Sequence, residues 1–264
     1  MINERQNISW GIHFLNYKLP RPEVGGMLLI EGSKKSTRYL TRYMICEELV
    51  KGRPVHWIDG GMGLDPSTLI RPLARKKRGI ELLDNLHVCR GFTAHQMAEI
   101  VKRLASESPN NENLVKGRLI VISDLASMFA DTQVKRAEGH AMLKESLSNI
   151  QVIAKTWNSL VLVTVNYQAK PFLTKSMKSE LKNAAIDRLT ILSQSKSKIT
   201  AKLHSIDMIA QPLVKRNPQI SLQDFNVPDH ISKVVWTDPP EANSSSDIPN
   251  GDNSAEAARK ASAS

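Results

Sequence analysis

Short apolar runs alternate with helix-like segments along most of this 264-residue chain. The runs occupy residues 27–31, 55–59, 86–90, 119–122 and 160–165. Continuous apolar runs are typical of parallel strands covered on both faces, and each is followed by a segment long enough for a crossover helix. The pattern predicts an α/β fold with a mostly parallel central sheet flanked by helices.

The pattern changes beyond Asn166. Shorter strand-like runs at 188–192, 199–205 and 232–237, separated by charged turns, predict an antiparallel C-terminal extension. Residues 1–26 are expected to form an N-terminal lead that packs on the core, and residues 27–237 a single core domain. Residues 238–264 are rich in Ser, Asn, Asp, Pro and Ala without aromatics, which predicts a disordered acidic and polar tail.

The charge is unevenly distributed. The whole chain carries a formal charge of +10, and residues 238–264 hold five acids and two bases, so residues 1–237 carry +13. Such an excess favours polyanionic partners through counterion release. Cys46 and Cys89 lie in apolar patterns and are predicted to be buried thiols, with no metal site. No apolar run is long enough for a membrane span, so an intracellular protein without membrane partners, cytoplasmic, nucleoid or nuclear, is expected.

The first apolar run leads into a glycine-led segment and then a helical pattern, which is the layout of a phosphate-binding loop. Compared with G-x-x-x-x-G-K-[ST], the first glycine is kept, but Thr37, Arg38 and Tyr39 replace the second glycine, the lysine and the metal-binding hydroxyl. The remaining cations could still pair with phosphate. The candidate nucleotide-binding residues are Gly32, Lys34, Lys35, Thr37, Arg38 and Tyr39.

The order of these segments resembles the ATPase core of the RecA/RadA recombinase superfamily, particularly its RadA-type branch. Residues 89–96, Cys-Arg-Gly-Phe-Thr-Ala-His-Gln, look like the family segment A-R-A-F-x-x-x-H-Q, and Asn166-Tyr167-Gln168 resembles T-N-Q before a mobile DNA-binding loop. The resemblance implies a RecA-like P-loop NTPase core. It also implies that His95 and Gln96 couple a nucleotide site to DNA.

The departures from the family pattern concern catalysis. Gly61 stands where the family has a water-activating glutamate, and Ser123 stands where the Walker B aspartate belongs. Asp124 comes one residue late and would point to the other face unless the backbone adjusts. We therefore expect no catalytic residues, no bound metal and little ATP hydrolysis; ATP is a possible ligand, bound without magnesium. An unusual ATPase with Asp59 or Asp124 as metal ligand is left open.

The segment from Ala169 to Lys202 holds eight bases against two acids, a net charge of +6. Its first part, Ala169 to Asn183, is predicted to be irregular, and in the family this region contributes the loop that contacts DNA. Basic groups for phosphate and aromatic rings for base stacking are what single-stranded DNA requires. The candidate DNA-binding residues are Tyr167, Lys170, Phe172, Lys175, Lys178 and Lys182.

Together these features predict a catalytically degenerate RadA-type paralogue. It would bind DNA, with a single strand favoured, and would assist a RadA-type recombinase or another paralogue in recombination and repair. Neither a helix-hairpin-helix domain nor a clear F-x-x-A motif is recognised ahead of the core, which favours a paralogue. Two alternatives stay open: a RecA-fold scaffold for protein partners that does not bind DNA, and a weak ATP-dependent DNA-binding ATPase.

Overall fold

The computed structural model describes residues 7–60, 63–74, 79–106, 115–195 and 198–212. They belong to one compact unit, Met1–Leu213; a second unit, Val214–Ser264, lies outside the described residues. The strand predicted at 232–237 and the tail predicted at 238–264 therefore lie outside them, and so does Gly61.

The core is an eight-stranded sheet in the order β3-β2-β4-β5-β1-β6-β7-β8. All neighbours from β3 to β6 run parallel, and β7 and β8 extend the sheet in antiparallel pairing. This confirms the predicted α/β fold class, with the arrangement of a RecA-like core. The strands are β1 (Gly26–Glu31), β2 (Val55–Asp59), β3 (Leu86–Arg90), β4 (Leu119–Ser123), β5 (Leu160–Val165), β6 (Asp187–Ser195), β7 (Lys198–Leu203) and β8 (Met208–Ala210).

Helices cover both faces of the sheet. Alternate residues of β1 show the division, because Leu28 and Ile30 lie in one apolar cluster and Met27 and Leu29 in the other. The first cluster is covered by α2 and α3, and the second by α4, α5, α6 and α7. The helices are α1 (His13–Lys18), α2 (Lys34–Val50), α3 (Ser67–Ala74), α4 (Ala94–Ser106), α5 (Leu125–Phe129), α6 (Arg136–Thr156) and α7 (Lys175–Ala184), with a 3-10 helix at Gly79–Asn85.

The segment before β1 packs on the first cluster. Ile8, Trp10 and Leu15 are fully buried there, and the Trp10 indole N–H donates to the carbonyl of Pro20 at 3.0 Å. Gly11 has φ of +71°, and a Cβ at this position would collide with the backbone carbonyl of Tyr43 in α2. A glycine is therefore required where this segment crosses α2.

Two sequence predictions are wrong in detail. Cys89 is exposed, because β3 lies at the edge of the sheet, whereas Cys46 is buried and burial raises its pKa to about 11. Part of the segment predicted to be irregular forms α7, in which Met177 and Leu181 are buried one turn apart. The side chain of Thr174 caps this helix by accepting from the backbone N–H of Met177 at 3.2 Å.

Among the described residues, no helix is both long and apolar enough to span a membrane. In the same part of the chain, no group of three or more His, Cys, Asp or Glu side chains is arranged to hold a metal ion.

Candidate functional site

Several of the predicted site residues, among them Lys34, His95, Asp124 and Lys170, lie where β1, β2, β4 and β5 end, which we call the carboxyl edge. The chain leaves β1 through α2 toward one face of the sheet and leaves the adjacent β5 toward α7 on the other face. Ligands of open α/β sheets bind at such a switch point, outside the carboxyl ends of the strands.

Only Gly32 and Ser33 separate β1 from α2. The Ser33 hydroxyl accepts from the backbone N–H of Ser36 at 3.2 Å, and the Ser33 carbonyl accepts from that of Thr37 at 2.9 Å. Because the helix begins at Lys34, Thr37 and Arg38 lie within the helix and not in a loop. The junction is therefore only two residues long and does not form the longer glycine-rich loop that surrounds a phosphate in such sites.

Asp124 and Lys34 form an ion pair at this junction, with 3.1 Å between Lys34 Nζ and Asp124 Oδ2. Asp124 follows β4 with φ of 59° and ψ of 18°, the left-handed conformation that Asp and Asn tolerate better than other side chains. This left-handed residue is the backbone adjustment that the sequence analysis left open for Asp124. The lysine at the start of α2 thus has a protein carboxylate as a partner.

The space between α2 and the strand ends is small. A cavity of about 20 Å³ lies among Lys34, Thr37, Arg38, Asp124 and Thr164, and the Arg38 guanidinium packs closely against Gly63. Such a volume holds about one water molecule, so a triphosphate with magnesium does not fit there.

The remaining two predicted nucleotide residues lie on α2 without lining the small cavity, and Tyr39 is partly buried against the first apolar cluster. Lys35 is exposed, and the Tyr39 ring packs beside the Tyr43 ring with their centroids 4.9 Å apart. Burial, reinforced by Tyr43, raises the pKa of Tyr39 to about 12.

Asp59 is fully buried and surrounded by donors from the protein. Its carboxylate accepts from the backbone N–H groups of Gly63 and Leu64 at 3.1 and 3.0 Å, and from the Ser123 hydroxyl at 2.9 Å. Arg90 NH2 lies 3.3 Å from Asp59 Oδ2. These contacts hold together the ends of β2, β3 and β4. The Asp59 carboxylate, which the sequence analysis left open as a metal ligand, thus has a structural role.

Tyr167 is half-buried beneath α7. The ammonium groups of Lys178 and Lys182 lie 5.4 and 5.7 Å from its ring centroid, within cation–π range. Burial and the nearby charge of Glu31 raise the pKa of the Tyr167 hydroxyl, and Glu31 in turn accepts from the Thr190 hydroxyl at 2.7 Å. Since two lysines cover its ring, Tyr167 offers little surface for stacking.

A cavity of about 540 Å³ opens at the carboxyl edge, and we call it the Phe92 cavity. It brings together Lys34, His95, Asp124 and Lys170, which come from four different parts of the sequence. The Phe92 side chain at its rim is 65% exposed.

The two predicted coupling residues make local contacts at this cavity. His95 Nε2 lies 2.8 Å from a carboxylate oxygen of Glu138 in α6. The Gln96 side-chain oxygen accepts from the backbone N–H of Phe92 at 2.9 Å. Gln96 therefore fixes the turn that carries Phe92 at the start of α4.

A neighbouring cavity of about 720 Å³, which we call the Phe172 cavity, is lined by Arg136, Lys170 and Phe172. The Phe172 side chain is 61% exposed, and Lys170 lines both cavities. Phe172 and Lys170 are thus brought together as the sequence suggested. Phe92 and Arg136 were not singled out, because nothing in their local sequence shows that they reach the same edge as Lys170.

Comparisons with known proteins give partial matches. Over 95 residues the chain is 33% identical to the DNA repair and recombination protein RadA of Halobacterium salinarum, in strains R1 and NRC-1. The match covers 34% of this chain and 27% of the relative, so the chain spans about a quarter of the length of the curated relatives it matches. No family model matches the chain. These findings support a RecA/RadA-like relationship and no closer assignment.

Proposed function

We propose that this chain binds single-stranded DNA at its carboxyl edge without hydrolysing ATP, and that it assists a RadA-type recombinase or another paralogue in recombination and repair. The observation that carries the DNA-binding part is the exposed Phe172 ring beside Lys170 and Arg136 in one cavity. An aromatic face for a base next to cations for phosphate is the combination that single strands require. The recombination part rests on the partial similarity to RadA.

The basic face continues along α7. Lys175, Lys178 and Lys182 lie on this helix, whose first turn follows Phe172 and Thr174. Lys178 and Lys182 keep their charge while they pack over Tyr167, because a cation–π contact does not neutralise an ammonium group. A strand whose base stacks on Phe172 would pass these lysines with its phosphates.

The proposal that ATP is not hydrolysed rests on the β1–α2 junction. The short junction, the Lys34–Asp124 ion pair and the cavity of only about 20 Å³ leave little space directly against the start of α2, where a phosphate-binding loop would hold its ligand. Phosphoryl transfer depends on positioning and charge neutralisation, and a junction without a glycine-rich loop, whose lysine is paired with a protein carboxylate, is poorly suited to both.

Fluorescence anisotropy with a labelled single-stranded 20-mer tests the DNA-binding part. The affinity is expected to fall steeply between about 50 and 200 mM salt and to be unchanged by magnesium and ATP. Phe172→Ala is expected to weaken binding about 5- to 150-fold, the range for losing one stacked base.

A matched pair of lysine variants controls for charge alone. Lys170→Gln is expected to reduce the slope of log affinity against log salt by about 0.7, the contribution of one phosphate contact on a single strand. Lys155→Gln removes the same charge from the last turn of α6, near the amino end of β5 and away from the carboxyl edge. It is expected to leave the slope unchanged. Binding without salt dependence, or equal slopes for the two variants, would refute the proposal. A requirement for ATP would favour the ATPase alternative.

A second candidate function is that of a scaffold for protein partners. β3 ends the sheet on one side, and Val88 in this strand is 46% exposed, so an edge of the sheet is open to another chain. If the purified protein binds a RadA-type recombinase in a sedimentation assay but has no affinity for the 20-mer, this function replaces the first.

A further inference from the structure

We infer that the Phe92 cavity takes one base of the bound strand and that it favours bases with an exocyclic amino group. The inference deepens the proposed function and rests on it, because the strand must first reach the carboxyl edge. It concerns the Phe92 cavity, which adjoins the proposed phosphate contacts at Lys170.

The two cavities adjoin along a shared wall. Asp131, Val134, Lys170 and Pro171 line both of them. A volume of about 540 Å³ falls within the range of about 300–1,000 Å³ that is usual for small-ligand sites. A strand that lies in the Phe172 cavity therefore has room for a base in the Phe92 cavity without leaving Lys170.

Phe92 supplies an aromatic face that the fold does not need for its own core. Its side chain is 65% exposed, whereas Phe129 is 1% exposed and Trp10 is fully buried. The hydrogen bond from its backbone N–H to Gln96 fixes the main chain at the start of α4. An exposed ring on a fixed backbone loses little conformational freedom when a base stacks on it.

The charges that face the Phe92 cavity favour a base over a phosphate. Lys34 is paired with Asp124, and His95 Nε2 lies 2.8 Å from a carboxylate oxygen of Glu138. Of the charged lining residues that the structure describes, Lys170 and Asp131 are the two without such an ion pair. Lys170 reaches both cavities and is the cation for the backbone of the strand.

Asp131 is an acceptor held in place. Its Oδ1 accepts from the backbone N–H of Gln133 at 2.9 Å, which orients the carboxylate at the shared wall. A carboxylate repels phosphate but accepts from the amino group of cytosine or adenine, whereas thymine presents a carbonyl oxygen at the corresponding position. Cytosine and thymine have nearly the same size, so they differ here mainly in the sign of this one interaction.

Competition between two homopolymers, dC20 and dT20, against the labelled strand tests the inference at neutral pH. The wild type is expected to bind dC20 about tenfold more tightly than dT20, the effect of one hydrogen bond to a charged acceptor. Asp131→Asn is expected to bring the ratio close to one, because an amide both donates and accepts. Phe92→Ala is expected to weaken dC20 binding at least about fivefold.

The control is Phe172→Ala, which is expected to weaken both homopolymers and to keep their ratio. Asp131 and Phe92 are exposed, so neither substitution removes a buried contact, and an unchanged melting temperature verifies that each variant is folded. Equal affinities of the wild type for dC20 and dT20, or a ratio that Asp131→Asn leaves unchanged, would overturn the inference while the salt-sensitive binding of both strands upheld the proposed function. If neither strand binds, the proposed function fails, and the inference fails with it.

Discussion

Replacing Asp124 by alanine, asparagine and glycine separates two contributions of this residue to the stability of the protein. The first is the ion pair with Lys34, in which the two side chains are 22% and 46% exposed for Asp124 and Lys34. An ion pair that is exposed to this extent stabilises a protein by about 0.5–1 kcal/mol. The second is the left-handed backbone at φ of 59°, which costs most side chains about 1–2 kcal/mol, costs Asp and Asn less, and costs glycine nothing.

The three variants are therefore expected to differ in a fixed order. Asp124→Asn loses only the ion pair and is expected to lower the free energy of unfolding by about 0.5–1 kcal/mol. Asp124→Ala loses the ion pair and also strains the backbone, so it is expected to lower it by about 1.5–2.5 kcal/mol. Asp124→Gly loses the ion pair but relieves the backbone, and its stability is expected to stay close to that of the wild type.

Urea denaturation at low and high salt measures these differences. High salt is expected to reduce the difference in free energy of unfolding between the wild type and Asp124→Asn, because salt screens the ion pair. The difference between Asp124→Asn and Asp124→Ala is expected to stay unchanged. Asp207 is a matched control: it also has a left-handed backbone, φ of 51°, and pairs with Lys202, but its side chain is 82% exposed. Asp207→Asn is expected to have no measurable effect on the free energy of unfolding.

Two results would refute this argument. If Asp124→Asn is as stable as the wild type at low salt, the carboxylate does not stabilise the protein as a counter-ion of Lys34. If Asp124→Gly is the least stable of the three, the left-handed backbone is not what limits this position. A melting temperature that rises with magnesium and ATP in the wild type and not in Asp124→Ala would instead identify Asp124 as a metal ligand.

Three further predictions concern other parts of the molecule. Gly139→Ala should lower the urea midpoint although alanine favours helices by about 1 kcal/mol, because its Cβ would collide with the Phe129 carbonyl; a variant as stable as the wild type would contradict this close approach. Burial lowers the pKa of His56, so the unfolded chain takes up a proton below about pH 6.5 before the folded chain does, and stability falls as the pH falls. His56→Gln should reduce that fall in a comparison of melting temperatures at about pH 7 and 5, and an unchanged pH dependence would argue against it. Magnesium and ATP should not raise the wild-type melting temperature, since a ligand stabilises only the fold that binds it.

Continuous apolar runs in the sequence were enough to predict the central strands. The apolar runs at 27–31, 55–59 and 160–165 each form a strand within one residue of their predicted limits, because nearly all of their side chains are buried on one face of the sheet or the other and most of them are therefore apolar. The helix α7 was not predicted, because charged side chains separate its buried residues Met177 and Leu181 and no continuous apolar run marks it. The burial predicted for Cys89 was also wrong, since the burial of a strand depends on whether it has a neighbour on each side and β3 lies at the edge of the sheet.

The candidate site divides in the same way. The sequence by itself determined that Lys170 and Phe172 are close, because only Pro171 separates them along the chain, and that the glycine-led segment after β1 departs from a phosphate-binding loop. Only the tertiary structure decided that Asp124 pairs with Lys34, that Phe92 stays exposed and that Lys170 lines two cavities. The physical reason is that propensity and periodicity act between neighbours in the chain, whereas the order of the strands, fixed by backbone hydrogen bonds between distant segments, determines which strand ends meet at the carboxyl edge.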